Sequence, residues 1–431
     1  MAIAEREVDY LGMLNPAQRE AAAFGSRNDD GDFVAGPLLV IAGAGTGKTM
    51  TLAHRVAHLV IEGTSPERIL LLTFTRRAAE EMTRRVENIV RATTREAVPL
   101  PAGGLPWSGT FHSVANRLLR HFASNLGLDP GFSVLDRGDA ADMLDVVRHE
   151  RRLSRTSKRF PKKDTCLAIY SRCVNAQKPL DETLERFYPW CSDWSEELAD
   201  LFRHYVERKQ HCQSLDYDDL LLYWSHLVAE DEFAHEIGSW FDHVLVDEYQ
   251  DTNLVQDRIL HALKPDGGGI TVVGDDAQSI YSFRAAEVEN ILGFPDRFMP
   301  TAKVVTLEQN YRSTQPILDT ANRLIAESER QYRKNLFSTQ DGGARPQYVT
   351  VEDGDAEAEH VVTSILENRE LGMQLKDQAV LFRGSHHSDR LELELVRRNI
   401  PYVKYGGLKF LEAAHVKDLL SILKWADNPK N

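Results

Sequence analysis

Cysteine and long apolar runs are both scarce in this sequence. The four cysteines among 431 residues include no Cys-x-x-Cys pair, so neither a disulfide scaffold nor a zinc site is predicted. No apolar run approaches the roughly 20 residues that a membrane helix requires. The N-terminal sequence MAIAEREVDY lacks the basic start and apolar centre of a secretory signal. We therefore expect a cytoplasmic protein with no membrane partner.

Positive charge is also in short supply. Lysine and arginine total 51 against 65 acidic residues, a net charge of −14, which excludes a histone-like basic coat around nucleic acid. One segment departs from this balance: residues 148–163 read RHERRLSRTSKRFPKK, with eight lysines and arginines against one acid. Such a segment either contacts phosphates or forms a solvated loop, and its composition leaves both open.

The apolar residues that are present fall into short runs typical of buried parallel strands. These runs lie in the sequences PLLVIAG, RILLLTFT, HVLVDE, GITVVGDD and KVVTL. Helical patterns separate them, so the sequence predicts an α/β fold with a doubly wound parallel sheet. A chain of this length is sufficient for two or three domains.

The character of the chain changes twice along its length. From residue 111 to about residue 241, charged helical stretches such as SEELADLFRHYVERKQ predominate, which predicts a helical insertion. After Asn310 we expect a second α/β unit, with strands PQYVTV and DQAVLF and helices AEAEHVVTSILENRE and SDRLELELVRRN. The segment STQDGGARP, residues 338–346, is the expected hinge because it combines glycines, proline and polar residues.

A phosphate-binding loop is predicted directly after the first strand. AGAGTGKT, residues 42–49, precedes the helical pattern TLAHRVAHLV, and such a loop requires this strand–loop–helix context. Ala42 replaces the first glycine of the strict pattern, but the remaining glycines allow backbone N–H groups to converge on phosphate oxygens. Lys48 is expected to neutralise the β- and γ-phosphates, and the Thr49 hydroxyl to bind Mg²⁺. The residues expected to contact the nucleotide here are Gly43, Ala44, Gly45, Thr46, Gly47, Lys48 and Thr49.

Two adjacent carboxylates follow the apolar run HVLV. Asp247 and Glu248 lie at the end of a predicted strand, where neighbouring side chains point in different directions and can have different roles. We expect Asp247 to hold Mg²⁺ together with Thr49, and Glu248 to accept the proton of the attacking water. A lone Asp-Glu pair is more often a solvated strand end. The phosphate loop upstream is what favours the catalytic interpretation.

Two further residues are candidates for contact with the γ-phosphate. Gln278, in GDDAQSIYSFR, follows a predicted strand and is a candidate to contact the γ-phosphate or the attacking water. Lys48 and Mg²⁺ leave part of the charge on the transferred phosphoryl group uncovered, so a further cation is needed. Arg312 follows the fifth strand run and is the best candidate, although an arginine there is equally compatible with a surface position.

These motifs occur in one order together with several others. The chain contains LNPAQREA, AGAGTGKT, LLTFTRRAAEEM, GTFHSVANRLL, LDYDDLL, VDEYQDTN, VGDDAQSIYSFRAA and LEQNYRS. In these motifs it resembles the UvrD/Rep-type DNA helicases of superfamily 1A, over nearly its whole length. The resemblance implies an ATP-driven motor that moves 3′ to 5′ on single-stranded DNA and acts at junctions of single and double strands.

The resemblance also implies a domain organisation. The fold would be a RecA-like P-loop NTPase sheet with an inserted helical subdomain and a partial second RecA-like domain. The implied limits are 1–110 and 226–305 for the first RecA-like domain, 111–225 for the helical insertion, and 306–431 for the second domain.

Motif by motif, the resemblance implies an adenine site. Gln18 would recognise the base through its amide, Tyr311 would stack on it, and Arg312 would contact the γ-phosphate. Met50 departs from the family pattern, because many relatives place an arginine there that covers the other face of the adenine. The resemblance therefore implies looser base selectivity in this chain.

The family binds DNA through aromatic pockets that stack on successive bases. The DNA contacts implied here are Phe74, Thr75, His112, Tyr217, Tyr281, Phe283 and Arg284. Phe283 stands where relatives often carry tryptophan, and Ala285 where they often carry glycine, so stacking would persist over a smaller area. Each aromatic taken singly is compatible with core packing, and its place within a motif is what favours DNA contact.

The last residues of the sequence, 405–431, resemble the part of the second domain that leads into an inserted domain called 2B. The two last motifs of the family are expected to be absent. Three interpretations follow. The preferred one is a helicase fragment that binds MgATP and DNA but hydrolyses slowly and cannot unwind. The others are a nucleotide-gated DNA-binding regulatory module, completed by another chain, and the front half of a helicase–nuclease. The pathway, whether repair, replication restart or recombination, stays open.

Overall fold

The structure is a computed structural model that describes residues 9–93, 104–153, 159–282, 285–405 and 414–427. Phe283, Arg284 and the centre of the basic segment, residues 154–158, lie outside these ranges. The helices are α1 Pro16–Ala22, α2 Lys48–Ile61, α3 Arg76–Thr93, α4 Phe111–His121, α5 Arg137–Glu150, α6 Lys163–Ala176, α7 Leu180–Phe187, α8 Ser195–His211, α9 Tyr217–Leu227, α10 Asp231–Ser239, α11 Leu254–Leu263, α12 Val288–Leu292, α13 Gln315–Ala326, α14 Gly354–Glu370, α15 Asp389–Arg397 and α16 Ala414–Asp427. The strands are β1 Ser26–Arg27, β2 Phe33–Val34, β3 Leu38–Ala42, β4 Ile69–Thr73, β5 Trp107–Thr110, β6 Ser133–Val134, β7 Ser214–Leu215, β8 His243–Val246, β9 Ile270–Gly274, β10 Lys303–Leu307, β11 Gln309–Asn310 and β12 Phe337–Ser338.

A six-stranded parallel sheet forms the centre of the first part of the chain. Its strand order is β10-β3-β9-β8-β4-β5, and every neighbouring pair is parallel. The apolar runs predicted as strands correspond to β3, β4, β8, β9 and β10. The predicted α/β fold with a parallel, RecA-like sheet is therefore confirmed.

Helices cover both faces of this sheet. Successive residues of a strand point to opposite sides, so each central strand contributes side chains to two cores. Leu39 and Ile41 of β3 share one core with Trp224 of α9. Leu38 and Val40 of the same strand share a second core with the apolar residues of α2 and α3. Burial on both faces explains why the central strands have continuous apolar sequences. Within the described ranges, no helix is both long and apolar enough to cross a membrane.

The edge strand β5 is absent from the strands that the sequence predicts. Its sequence WSGT contains one large apolar residue, so it lacks the apolar run by which a buried strand is recognised. It becomes a strand through parallel pairing with β4, in which Leu71 pairs with Ser108 and Thr73 with Thr110. Tertiary pairing, rather than local sequence, determines this element.

The parallel arrangement brings the ends of the central strands to one edge of the sheet. Ala42 ends β3, Val246 ends β8, Gly274 ends β9 and Leu307 ends β10. The phosphate loop, the acidic pair, the turn of Gln278 and the segment that follows β10 therefore all leave the sheet at its carboxyl edge. This is the edge at which open α/β sheets bind their ligands.

The helical insertion has a hydrophobic core of its own. This core runs from Leu135 to Tyr205 and draws its residues from α5, α6, α7 and α8. In contrast, Phe111 and Leu118 of α4 and Trp224 of α9 lie in the core on one face of the sheet. The limits of 111–225 stay a prediction, and the separate core occupies the middle of that range.

Residues 345–405 and 414–427 belong to a second compact unit, divided from the first between Ala344 and Arg345. The division falls inside the predicted hinge segment. The two helices predicted for this unit are confirmed as α14 and α15, which share a small core formed by Val362, Leu395 and Ile400.

The two strands predicted for the second unit, PQYVTV and DQAVLF, are wrong for the described residues. Neither segment forms a strand, and Tyr348 and Leu381 within them are 93% and 94% exposed. A strand exists only as a hydrogen-bonded partner of another strand. The sequence predicted strands here, but no ladder forms within the described part of this unit.

Candidate nucleotide and DNA site

The phosphate loop has the geometry of an anion-binding turn. Gly45 and Gly47 adopt left-handed backbone conformations, with φ of +83° and +86°, which favour glycine. The Thr46 hydroxyl donates a hydrogen bond to the carbonyl of Gly43 at 2.8 Å, which closes the loop. Helix α2 begins at Lys48, and none of the described side chains caps its first turn. The N–H groups of that turn are therefore available to phosphate oxygens.

Distant segments of the chain pack closely against this loop. A Cβ atom at Gly45 would lie 2.6 Å from Arg312 Cβ, and one at Gly47 would lie 2.6 Å from Gln18 Nε2. Both distances are shorter than any ordinary contact between such atoms. At Gly45 glycine is required by packing as well as by backbone conformation. At Gly47 the atom in the way is the end of the Gln18 side chain, so the left-handed backbone is the main requirement.

Lys48 and Glu248 form an ion pair across the site, with Lys48 Nζ 3.0 Å from Glu248 Oε2. The predicted phosphate loop and the predicted acidic pair are thereby brought together. Thr49 follows in the first turn of α2 and is half-buried. The Glu248 backbone is left-handed, with φ of +51°, a strained conformation of the kind that persists at functional sites.

Asp247 lies beside this ion pair and is 9% exposed. Burial raises the pKa of Asp247 to about 6; the Glu248 carboxylate adds to the rise, and the Lys48 ammonium opposes it. One ammonium thus faces two adjacent carboxylates, so the site retains excess negative charge. A divalent cation fits such a site, because oxygen ligands and negative charge are what Mg²⁺ requires.

Hydrogen bonds connect the acidic pair to the turn that carries Gln278. Gln250 Nε2 donates to Glu248 Oε2 at 2.8 Å, and Gln250 Oε1 accepts from the Asp275 N–H at 2.9 Å. Gln278 Nε2 in turn donates to the Asp275 carboxylate. The structure therefore places Gln278 close to the site but bonds its amide within its own turn. Gln250 was not among the predicted site residues, although it lies inside the motif VDEYQDTN.

A buried ion cluster supports the same turn. Lys334 Nζ lies 2.6 Å from Asp275 Oδ1 and 2.5 Å from Asp276 Oδ1. The side chains of these three residues are at most 4% exposed. Sequence reasoning missed Lys334, because no recognised motif surrounds it and only the fold brings residue 334 to residue 275.

The residues predicted to hold adenine both bond to the phosphate loop. Gln18 is buried, and its Nε2 donates to the carbonyl of Thr46 at 2.9 Å. Asn15 caps helix α1, and its Nδ2 donates to the hydroxyl of Tyr311 at 3.0 Å. The Tyr311 side chain is 46% exposed, so part of its ring is accessible to a ligand.

Asn310 connects the segment that follows β10 to the phosphate loop. Its Nδ2 donates to the carbonyl of Ala44 at 2.6 Å, while its Oδ1 accepts from the N–H groups of Arg312 and Ser313 at 2.9 and 2.8 Å. The side chain of Arg312 begins against Gly45 and is exposed. Asn310 was missed by sequence reasoning, although it directly precedes the predicted residues Tyr311 and Arg312.

The residues predicted to contact DNA form two aromatic pairs. The rings of Phe74 and Tyr281 have centroids 5.0 Å apart, and those of His112 and Tyr217 have centroids 5.5 Å apart. Phe74 and Tyr217 are 38% and 43% exposed, which is unusual for large aromatic side chains that serve only a core. The Thr75 hydroxyl accepts from the Ala78 N–H at 3.1 Å and so caps α3. The predicted contacts Phe283 and Arg284 lie outside the described residues.

The basic segment 148–163 is partly neutralised by acids of neighbouring turns and helices. Arg148 pairs with Asp145 at 2.7 Å, and Arg151 pairs with Asp200 at 2.5 Å. Lys163 also forms an ion pair, with Asp142. These pairs lower the net positive charge of the described part of the segment, which favours a solvated surface over a dedicated phosphate site.

Comparison with known proteins covers both parts of the chain. The family model described as UvrD/REP helicase N-terminal domain matches residues 15–299, and that described as UvrD-like helicase C-terminal domain matches residues 305–431. The chain is 36% identical over 393 residues to the ATP-dependent DNA helicase PcrA of Staphylococcus epidermidis strain RP62A, covering 90% of the chain and 51% of that protein. It is 35% identical, with the same coverage, to the PcrA proteins of Staphylococcus aureus strains Mu50 and COL.

These matches bear on the interpretations drawn from the sequence. The chain spans about half the length of the curated relatives it matches. The expectation that the C-terminal motifs are absent is not borne out, because the C-terminal model matches as far as the last residue. The comparisons likewise give no support to a fragment of low activity, to a regulatory module or to a helicase–nuclease. With its parallel sheet, phosphate loop and acidic pair in one site, and with models for both halves matched, this chain belongs to the UvrD/REP helicase family.

Proposed function

We propose that this chain binds ATP and Mg²⁺ at the carboxyl edge of its sheet and hydrolyses ATP in response to single-stranded DNA. This hydrolysis drives an ATP-dependent DNA helicase or translocase that moves 3′ to 5′. The observation that carries the proposal is the ion pair between Lys48 and Glu248, because it joins the phosphate loop and the acidic pair in one site. The PcrA relatives are ATP-dependent DNA helicases, which supports the proposal.

In this proposal the nucleotide lies along the phosphate loop. Gln18 and Tyr311 hold the adenine, and the loop from Gly43 to Thr49 holds the phosphates. Lys48 exchanges its Glu248 partner for the β- and γ-phosphates, which releases the Glu248 carboxylate toward the attacking water. Met50 is 36% exposed beside the loop and offers the base an apolar contact.

Thr49 and Asp247 are the residues proposed to hold Mg²⁺. The bound ion would supply positive charge to the phosphate oxygens as a Lewis acid. Glu248 is proposed as the general base for the attacking water, a role that is typically worth a factor of about 10² to 10⁴ in rate. Gln278 and Arg312 are proposed to contact the γ-phosphate. For this, Gln278 must give up the hydrogen bond that its amide donates to Asp275.

Single-stranded DNA is proposed to stack on the two aromatic pairs at the same edge of the sheet. Phe74, Tyr281 and Tyr217 supply the stacking surfaces, and Thr75 and His112 supply polar contacts. Phe283 and Arg284 are proposed to join them. Stacking of this kind tolerates any base sequence, because every base has a flat face, and a helicase needs that tolerance.

The test is an ATPase assay with and without an oligo-dT strand, followed by strand displacement on duplexes with a 3′ or a 5′ single-stranded tail. We expect DNA to stimulate hydrolysis, and displacement to require the 3′ tail. Lys48→Ala should abolish turnover, whereas Lys178→Ala, which removes an exposed ion pair with Glu182, should not. Full turnover by Lys48→Ala would refute the nucleotide site, and displacement from 5′ tails alone would refute the direction.

A further inference from the structure

The first turn of α9 carries the proposed DNA contact Tyr217 and is fixed by a buried ion cluster. Lys209 Nζ, on α8, lies 2.6 Å from Asp216 Oδ2 and 2.6 Å from Asp219 Oδ2. The hydroxyl of Tyr205 donates to Asp216 Oδ2 at 2.8 Å. Asp216 and Asp219 also form the capping box of α9. Helix α8 of the insertion and the first turn of α9 are therefore held together as one body.

The same turn is bonded to a second helix of the insertion through Asp218. Its Oδ1 accepts hydrogen bonds from Ser171 Oγ at 3.0 Å and from Asn175 Nδ2 at 2.6 Å, both on α6. Asn175 is 7% exposed. The residue next to the exposed ring of Tyr217 is thus fixed by α6.

Asn175 also contacts the loop that contains the proposed catalytic base. Its Oδ1 accepts from Asn253 Nδ2 at 2.8 Å. Asn253 is the N-cap of α11, and its own Oδ1 accepts from the Gln256 N–H at 2.9 Å. The segment from Glu248 to Asn253 consists of a left-handed residue, a single 3-10 turn and the helix cap. A displacement at Glu248 therefore has a short, hydrogen-bonded route to Asn253.

Asn175 lies between these two attachments and uses both ends of its amide. The Nδ2 group donates to Asp218, and the Oδ1 atom accepts from Asn253. Asn175 Nδ2 also donates to the carbonyl and the hydroxyl of Ser171 on its own helix, at 2.9 and 3.1 Å. Loss of the bond to Asp218 therefore detaches Asn175 from α9 while its amide stays bonded within α6, and in a buried, low-dielectric position that loss is costly. A second hydrogen bond, 3.0 Å long, runs from Arg258 of α11 to Gln177, the C-cap of α6. It also joins α6 to α11, but it is exposed, so water can replace either partner.

We propose that Asn175 is a positioning residue that couples the DNA contact at Tyr217 to ATP hydrolysis at Glu248. This inference rests on the proposed function, since it presumes an ATPase that responds to single-stranded DNA. In this proposal Asn175 contacts neither the nucleotide nor the DNA. Its role is to carry a displacement of the first turn of α9 to the loop of Glu248. Because coupling between two binding sites is reciprocal, it also carries a displacement of that loop to the first turn of α9.

A charge-swap pair tests this bridge. Asn175→Asp places a carboxylate against Asp218 and breaks the bridge, whereas Asn175→Asp combined with Asp218→Asn restores a donor at 218 and keeps the acceptor for Asn253. Basal ATPase and ATPase at saturating oligo-dT are measured for each variant. We expect Asn175→Asp to lower the stimulation by DNA about tenfold while basal kcat changes by less than about twofold. The double variant should recover stimulation.

Matched controls separate coupling from folding. Arg258→Ala removes the exposed bond between the same helices and should retain full stimulation. Asp218→Asn alone keeps an acceptor oxygen for Asn175 and should also retain it. If Asn175→Asp does not fold, Asn175→Ser, which shortens the side chain without adding charge, takes its place in the comparison.

The outcomes are distinct. A folded Asn175→Asp or Asn175→Ser with wild-type stimulation overturns the bridge and leaves the proposed function intact. Equal losses of basal and stimulated kcat, or a double variant that does not recover, also overturn it, because they indicate a purely structural role. A wild-type chain whose ATPase does not respond to DNA overturns the proposed function and this inference together.

Discussion

The backbone N–H of Tyr311 donates to the carbonyl of Gly45 at 2.9 Å. This bond joins the residue proposed to stack on adenine to the middle of the phosphate loop, across more than 260 positions of sequence. The bond from Asn310 to the carbonyl of Ala44 lies beside it. The base-binding and phosphate-binding parts of the site are therefore fixed relative to each other by main-chain geometry.

Gly45→Ala should weaken nucleotide binding. The new methyl group would meet Arg312 Cβ at 2.6 Å at a residue with φ of +83°, so the loop and the Tyr311 segment must separate. We expect the KM for ATP to rise about tenfold, which corresponds to about 1.4 kcal/mol and lies within the range of roughly 1–3 kcal/mol for local backbone strain. Steady-state ATPase measured against ATP concentration checks this.

Gly31→Ala is the matched control for that variant. Gly31 has φ of +88°, and a Cβ atom there meets nothing within 4 Å. Gly31→Ala therefore introduces the same kind of backbone strain as Gly45→Ala, but the new methyl group meets no neighbouring atom. An equal rise in KM for both variants would show that strain alone, and not the contact with Arg312, accounts for the effect.

Glu248→Gln should separate binding from chemistry. The amide keeps a similar shape beside Lys48 and Gln250 but cannot accept the proton of the attacking water. We expect kcat to fall about 10²- to 10⁴-fold while the affinity for a fluorescent ATP analogue changes little. Loss of nucleotide binding in Glu248→Gln would instead assign the residue a structural role at the phosphate loop.

Tyr217→Ala should weaken binding of single-stranded DNA without affecting nucleotide binding. The ring is 43% exposed and lies against His112, and its removal should cost about 1–3 kcal/mol if a base stacks on it. Fluorescence anisotropy with labelled oligo-dT gives the affinity. Trp190→Ala, at a 69% exposed position of the helical insertion, is the control, and an equal loss there would contradict a specific stacking site.

Two buried histidines should make the fold sensitive to acid. Burial lowers the pKa of His58 and of His243 to about 4, so both stay neutral in the folded chain and take up protons on unfolding below about pH 6.5. The unfolded state then binds more protons, and stability falls as pH drops from about 6.5 toward 4, by up to about 3 kcal/mol for each residue. Above about pH 6.5 both histidines are neutral in the folded and the unfolded chain, so this loss of stability does not occur.

Urea unfolding of wild type and His243→Gln between about pH 7.5 and pH 5 measures this dependence. The variant should lose less stability over that range, because one of the two groups no longer titrates. His235→Gln, at an exposed position, is the control. Parallel pH curves for wild type and His243→Gln would contradict the assignment.

The sequence was sufficient for the elements whose residues encode them locally. The runs that became β3, β4, β8, β9 and β10 are apolar because both faces of a central parallel strand are buried, and that burial can be recognised without knowing the neighbours. The phosphate loop and the acidic pair could be placed at strand ends for the same reason. Pattern and spacing therefore predicted the phosphate loop and the acidic pair, whereas the adenine and DNA contacts were implied only by the family resemblance.

The remaining features depend on which segments meet in the folded chain. Strand β5 exists because β4 lies beside it, and the segments around Tyr348 and Leu381 lack a ladder although their sequences favour one. Lys334 reaches its two aspartates from a segment with no motif.

By itself the sequence determined the parallel sheet, the ligands offered at its carboxyl edge and the family. Only the tertiary structure decided that Lys48 pairs with Glu248, and that Asn175 bridges the insertion to the catalytic loop. A pattern reports what each residue prefers, whereas a hydrogen bond between residues 78 positions apart depends on the packing of whole helices.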